Sequence, residues 1–291
     1  MSEYSLISTD GLSKLGIKLV DRISEGIGGL CKPRHVVKMA KAEATAALIR
    51  AENELHIADL EHRAVTRRAL EDVRHQQNIE SITLQSVPLL NESAAPEKIS
   101  DDWIANFFEK SKNISDTQMQ QVWASVLAGE SNSSGAFSRQ TVNLLADLEA
   151  NDAELFSSLC NFVWHVPNPV PLIFDISAPF YEEAGLKLSS ILQLEALGLA
   201  HRLPDGFSGQ IPSELHDVSY CGKDYELRFP PTFERLLPLG MVSLTSAGAQ
   251  LSSICTAKPV PGLFEVVCDE WFMKNDIEVI EKTSAPTTDS Q

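Results

Sequence analysis

The chain has 291 residues, 43% of them hydrophobic, and a formal charge of −16. This hydrophobic fraction is enough for a packed core, which excludes a chain that is disordered throughout. The charge is uneven, because residues 1–75 sum to +1 and residues 76–291 sum to −17. An acidic body disfavours nucleic acid as a partner, since such binding depends on neutralising phosphates with lysine and arginine.

The cysteines are scattered and never form a C-x-x-C pair, which favours free thiols in a reducing cytoplasm over a disulfide framework or a zinc site. They are Cys31, Cys160, Cys221, Cys255 and Cys268. No run of 18 apolar residues occurs, so no membrane span is expected, and residues 1–10 lack the features of a signal peptide. We therefore expect a cytoplasmic protein, with peripheral contact at the inner membrane as an alternative.

Residues 11–30 form the first predicted helix, because apolar residues recur there every three or four positions. The apolar face consists of Leu12, Leu15, Leu19, Ile23, Ile27 and Leu30. This pattern is typical of a helix that lies on a partner protein or a membrane surface. It is equally typical of a helix docked on the body of its own chain.

Residues 33–87 predict one long helix, since no proline or glycine interrupts them after Pro33 and strong helix formers dominate. Fifty helical residues would span roughly 75 Å. Alanine occupies many candidate core positions, so a coiled coil is one interpretation and a hairpin with a break near 75–78 is the other. Either way, we expect a helical arm through which the chain forms homo-oligomers.

Residues 91–165 follow a linker and predict a compact helical domain of short, capped helices. The predicted N-terminal capping positions are Ser100, Ser115–Asp116, Ser138 and Asn151–Asp152. Residues 166–282 then combine a proline-broken segment, helices and short strands, which predicts a small α+β module resembling a winged helix. The predicted strands include 220–229 and 264–267, and a last helical turn is predicted at 269–274. Its helix near 188–200 carries no lysine or arginine, so we expect it to bind protein rather than DNA.

The predicted architecture is mainly α. It comprises an N-terminal amphipathic segment and arm (1–90), a helical middle domain (91–165), the winged-helix-like module (166–282) and a disordered tail (283–291).

No motif for phosphate binding, metal hydrolysis or nucleophilic catalysis occurs, so no catalytic residue, metal site or cofactor is predicted and an enzyme is not the favoured interpretation. Glu130 and Arg139 flank a glycine-containing loop, residues 131–137. We expect the two side chains either to line a binding cleft or to pair across the loop as a clamp.

The string Trp123-Ala124-Ser125-Val126-Leu127-Ala128-Gly129-Glu130, preceded by 102–104 and followed by 137–141, resembles an uncharacterised family of bacterial proteins of unknown function. The resemblance covers most of residues 10–275. Residues 197–199 and 244–248 further resemble the C-terminal pattern of abortive-infection-type bacterial proteins, which implies a role in phage defence.

These observations favour a non-enzymatic protein that self-associates through its N-terminal helices and recognises an unknown protein partner. Two alternatives are a membrane-surface protein that uses residues 11–30 and a transcriptional regulator that uses the C-terminal module.

Overall fold

The structure is a computed structural model that describes residues 12–27, 57–211, 217–231, 233–234 and 236–282. Leu30, the first part of the predicted arm (33–56) and the predicted tail (283–291) lie outside these residues. The chain divides by its contacts into two compact units, Met1–Asp147 and Leu148–Gln291, called here the N-terminal and C-terminal units. The domain boundaries expected from the sequence remain predictions, because a division by contacts does not test which segments fold alone.

The described part of the N-terminal unit is helical. Its helices are α1 (Lys14–Ile27), α2 (Ile57–Ser86), α3 (Asp101–Ser111), α4 (Thr117–Asn132) and α5 (Arg139–Ala146), with 3-10 turns at Val87–Leu89 and Pro96–Lys98. Side-chain oxygens of Ser100, Asp116 and Ser138 accept the backbone N–H three residues later, which satisfies donors that a helix start leaves open. These three predicted caps are confirmed, but the predicted start at Asn151–Asp152 is wrong, because that helix begins at Ala150 with Glu149 at its N-cap.

An aromatic cluster forms the centre of this unit. Trp103 stacks on Phe107 with ring centroids 4.9 Å apart, and Phe107 meets Trp123 edge to face at 5.0 Å. Ile82 of α2 is fully buried, and so is Leu127 of α4. The second half of α2 is therefore part of this core.

The C-terminal unit mixes helices with two antiparallel sheets. In chain order its elements are α6 (Ala150–Cys160), β1 (Val163–Val166), β2 (Asn168–Pro171), α7 (Pro179–Glu183), α8 (Leu188–Ala196), β3 (Ala200–Gln210), β4 (Asp217–Tyr220), β5 (Lys223–Arg228), β6 (Leu236–Leu244), α9 (Ser246–Ser252), α10 (Leu263–Asn275) and β7 (Glu278–Glu281). One sheet has the order β2-β1-β4-β5-β7, and β3 pairs with β6 in the other.

Trp164 on β1 is the centre of the C-terminal core. Its ring stacks on Tyr220 of β4 at 4.9 Å, and Tyr225 of β5 lies 5.3 Å away. Trp271 of α10 contacts the same ring edge to face at 5.9 Å. Since these rings come from three neighbouring strands and a helix, they fix the strand order around one side chain.

The predicted mainly α fold is wrong: the protein is mixed α and β. Four of the seven described strands are only four residues long, too short to show a clear alternation of apolar and polar residues. The prediction also treated 220–229 as one strand, although Cys221 and Gly222 turn the chain between β4 and β5. The description of residues 166–282 as winged-helix-like is wrong too, because a five-stranded sheet is larger than the wing of such a module.

The segment after residue 262 corrects a second expectation. The sequence favoured a short strand at 264–267 and one last helical turn at 269–274. Leu263–Asn275 is instead a single helix, α10, which buries Leu263, Val267 and Trp271 on one face. The spacing of these three residues is four, the period of a helix rather than a strand.

Candidate functional site

The first half of α2 is the largest unburied stretch of helix in the described structure. None of the eighteen residues from Leu60 to Gln77 is buried, whereas buried residues recur from Asn78 to Ser86. Leu60, Val65 and Leu70 are apolar, yet they are 64%, 51% and 66% exposed. An apolar side chain exposed to this extent on a well-formed helix is a candidate contact for another molecule.

Arginines surround the most exposed of these leucines. Leu70 lies seven positions after Arg63, three after Arg67 and four before Arg74. At these spacings all four side chains share one face of the helix. They line a groove of about 490 Å³ together with His62, Thr66 and Glu71. Arg67 donates to Glu71 at 2.9 Å, while Arg74 has no hydrogen bond or ion pair among the described residues. We call this surface the arginine face.

The second half of α2 is anchored by a polar network that fixes its rotation. Gln120 of α4 donates to Asn78 at 3.1 Å and to the carbonyl of Ile114 at 2.9 Å, and it accepts from Ser81 at 2.8 Å. Asn78 also donates to the carbonyl of Lys112 at 2.8 Å. A buried network with satisfied partners allows one orientation only, so the direction of the arginine face is set by the core.

The structure docks the amphipathic face of α1 on its own unit. Leu19 and Ile23 are fully buried, while Leu12, Leu15 and Ile27 are partly buried. A Cβ at Gly26 would lie 2.7 Å from the Ile104 side chain, so α1 touches α3 closely. This is the intramolecular alternative that the sequence left open, and a partner or membrane would reach these leucines only after α1 detached.

Arg22 adds a polar anchor to this docking. Its guanidinium donates to the carbonyl of Ile99 and to the carboxylate of Asp101, both at 2.6 Å. The Arg22 side chain is only 16% exposed, so these bonds are worth more than an open surface pair.

Replacing Leu19 with aspartate should detach α1, because it places a carboxylate in a site with no exposure. We expect trypsin to cleave after Lys14 or Arg22, two sites that the control variant also keeps, at least tenfold faster in this variant. Lys18→Asp on the exposed side of α1 introduces the same acid and should leave the cleavage rate within twofold of wild type. Equal rates in both variants would contradict the docking.

Glu130 and Arg139 have different partners. The Glu130 carboxylate is 3% exposed and accepts the backbone N–H groups of Gly135 and Phe137, at 2.7 and 2.9 Å. Arg139 lies near Asp102 at 3.9 Å, and both side chains are mostly exposed. Glu130 therefore holds the loop through backbone amides, and the structure does not show the expected pair with Arg139. Burial raises the pKa of Glu130, and the two amide donors oppose that shift.

The rest of the string around Glu130 packs against the same loop. Trp103 donates its indole N–H to the carbonyl of Phe137 at 2.7 Å. A Cβ at Gly129 would lie 2.5 Å from the Phe137 ring, so the close approach of the ring requires glycine. The string that carries the family resemblance thus holds a loop in place.

The second resembling pair of segments also has a packing role. Thr245 donates its hydroxyl proton to the carbonyl of Gly198 at 2.7 Å, and its N–H donates to the carbonyl of Leu199 at 3.1 Å. A Cβ at Gly248 would lie 2.0 Å from that Leu199 oxygen. These residues join the start of β3 to the start of α9. This packing role explains why threonine and glycine occur at these positions.

A cleft of about 620 Å³ in the C-terminal unit was not predicted from the sequence. Its charged lining is Asp175, Asp205, Glu270 and Lys274, and Glu270 pairs with Lys274. The described residues contain no cluster of three or more histidine, cysteine or acidic residues suited to a metal ion. Within the same residues, none of the helices has the length and apolar character needed to cross a membrane.

Comparison with known proteins identifies the family. A model for proteins of unknown function, DUF2806, matches residues 62–265, which is more than half of the chain. The chain belongs to the DUF2806 family. No curated protein and no solved structure shows significant similarity to it. The DUF2806 match begins at His62, so it includes the arginine face and the Glu130 loop but not α1 or β7. The prediction of an uncharacterised family is confirmed.

Proposed function

We propose that this protein is a non-enzymatic interaction protein that self-associates, and that the arginine face of α2 is its contact surface. The observation that carries the proposal is the exposure of Leu60 and Leu70, on the same side of α2 as the arginines, on a helix whose other half is firmly anchored. A rigid helix that presents apolar and cationic side chains together is a common form of protein contact.

The charge distribution of the chain favours a second copy of the same chain as the partner of the arginine face. Residues 148–291 contain 8 lysines and arginines against 20 aspartates and glutamates, a formal charge of −12. On the arginine face, Arg67 is paired with Glu71, whereas Arg74 has no partner among the described residues. Opposite charge on two surfaces of the same chain favours contact between copies and speeds their encounter.

Arginine and leucine have separate tasks in this contact. Arginine binds carboxylates in a planar, two-pronged geometry and is enriched at interfaces. Leu70 provides apolar area that is removed from water when the partner binds, at about 25 cal/mol for each Å². We therefore expect association to weaken with added salt but not to vanish, because screening acts on the ion pairs and not on the leucine.

Light scattering coupled to size exclusion tests the proposal on the full chain. Wild type should have a mass well above the 32.0 kDa of one chain. Leu70→Glu and Arg74→Glu should each weaken association at least tenfold, because both reverse or remove the complementarity and neither residue is buried.

Val65→Glu is the matched control, since Val65 on α2 is 51% exposed and lies on the side of the helix away from Leu70. It should associate like wild type. Circular dichroism checks that all variants remain folded. A monomeric wild type at high concentration, or a Leu70→Glu variant that associates like the control, would refute the proposal.

A further inference from the structure

The cleft of about 620 Å³ in the C-terminal unit contains a carboxylate that its own chain does not neutralise. Of the three acidic residues in the lining, Glu270 pairs with Lys274, and Asp175 accepts the backbone N–H of Ser177 at 2.9 Å. Asp205 is exposed and has no hydrogen bond or ion pair among the described residues. A cation from outside the chain can therefore pair with Asp205 without displacing a partner.

Most of the remaining lining of this cleft is apolar. Phe174 and Phe207 are partly exposed, and Pro204, Pro238 and Met241 extend the apolar surface. A cation is attracted to the face of an aromatic ring, and guanidinium groups make such contacts more often than ammonium groups. Carboxylates beside aromatic and apolar side chains thus favour an occupant that presents arginine together with apolar residues.

The walls of the cleft are held in place before anything binds. The backbone N–H of Phe174 donates to the Tyr181 hydroxyl at 3.1 Å. The indole N–H of Trp271, the residue after Glu270 on α10, donates to the carbonyl of Pro238 at 2.8 Å. Since these bonds fix three of the segments that line the cleft, little conformational entropy is lost when it is filled.

We propose that this cleft receives the arginine face of a second copy of the chain, an inference that rests on the self-association proposed above. Arg74 would pair with Asp205, and Leu70 would lie against the apolar wall. Neither Arg74 nor Asp205 has a partner among the described residues, and both are exposed. Pairing them breaks no existing bond and costs less desolvation than a fully buried ion pair would.

The two surfaces are different, which gives the contact a direction. Each copy has one arginine face and one cleft, so the contact is head to tail rather than between two identical patches. A copy with a damaged face can then still offer its cleft, and a copy with a damaged cleft can still offer its face. Two variants that each fail to self-associate are therefore expected to complement each other.

Mixing two full-length variants tests this expectation by size exclusion with light scattering. Asp205→Arg and Arg74→Glu should each weaken self-association roughly tenfold or more. In an equimolar mixture association should return, because the Asp205→Arg copies retain the arginine face and the Arg74→Glu copies retain the cleft. Circular dichroism checks that both variants are folded.

Glu154→Arg is the control for total charge. Glu154 on α6 is exposed, does not line the cleft and has no ion pair among the described residues. The variant changes the charge of the chain by the same amount as Asp205→Arg and should associate within about twofold of wild type.

The inference is overturned if Asp205→Arg associates like Glu154→Arg, or if the mixture associates no better than its two components. With a wild type that associates and a Leu70→Glu variant that does not, either result would leave the proposed function standing and show only that another surface receives the arginine face. A monomeric wild type would refute both.

Discussion

Replacing Glu130 with alanine will lower the free energy of unfolding by about 3 kcal/mol, because it leaves two backbone N–H groups without an acceptor. The N–H groups of Gly135 and Phe137 bond to the Glu130 carboxylate at 2.7 and 2.9 Å. Phe137 is 2% exposed, so water cannot replace the lost acceptor there. Urea unfolding followed by tryptophan fluorescence measures the change.

The difference in stability between wild type and Glu130→Ala should also depend on pH, in a direction that the pKa of Glu130 determines. Burial raises the pKa of Glu130 above its ordinary value of 4.5, so the folded state binds a proton more readily than the unfolded state. The stability that Glu130 contributes is therefore greatest at acid pH and falls as pH rises from about 4.5 through the raised pKa. The advantage of wild type over Glu130→Ala should shrink across this window and then stay constant.

Arg139→Ala is the control for Glu130. Its guanidinium lies 3.9 Å from an exposed aspartate, so its removal should change stability by less than about 0.5 kcal/mol. Glu130→Gln keeps one acceptor oxygen and should fall between wild type and the alanine variant. If Glu130→Ala and Arg139→Ala lose equal stability, the backbone clamp is not the source of the effect.

Gly240→Ala will destabilise the C-terminal unit by about 3 kcal/mol or more. Gly240 on β6 has φ +96°, and a Cβ there would lie 2.4 Å from the carbonyl oxygen of Ile173. That oxygen also accepts the N–H of Met241 at 2.6 Å. The backbone must move to admit a side chain, and this bond joins β6 to the segment that follows β2.

Gly222→Ala separates the two causes of this loss. Gly222 has a similar φ, +78°, but nothing lies within 4 Å of its Cβ position. Its replacement should cost about 1 kcal/mol from backbone strain alone. Urea unfolding of both variants gives the difference, which is the contribution of the close approach. Equal losses would show that Gly240 is needed only for its backbone conformation.

Sequence patterns predicted the local features of the N-terminal unit well. Ser100, Asp116 and Ser138 cap helices because capping depends on residues three positions apart. The uninterrupted pattern through 75–78 is also helical in the structure, so α2 shows no break there. Such features depend on residues that are close together along the chain, so a single sequence is enough to predict them.

Features that depend on distant residues were not predictable in the same way. The periodicity of α1 is identical whether its leucines meet a partner or α3, so the pattern could not choose between them. The short strands were missed because pairing with strands far along the chain, and not propensity, stabilises them. Glu130 was singled out as part of a clamp, but its partners are two backbone amides. Every residue except proline has such an amide, so the sequence could not show which ones would bond to Glu130.

Strand β7 affects the order in which the chain becomes structured during synthesis. It pairs with β5, Tyr225 opposite Glu281, and completes the edge of the five-stranded sheet. The described N-terminal helices find their partners within residues 12–147 and can form on the ribosome long before residue 278 is made. Until then the outer edge of β5 has no partner, and an unpaired edge readily adds a strand from another nascent chain. Residues 229–277 are therefore the interval of translation in which this protein is most exposed to aggregation.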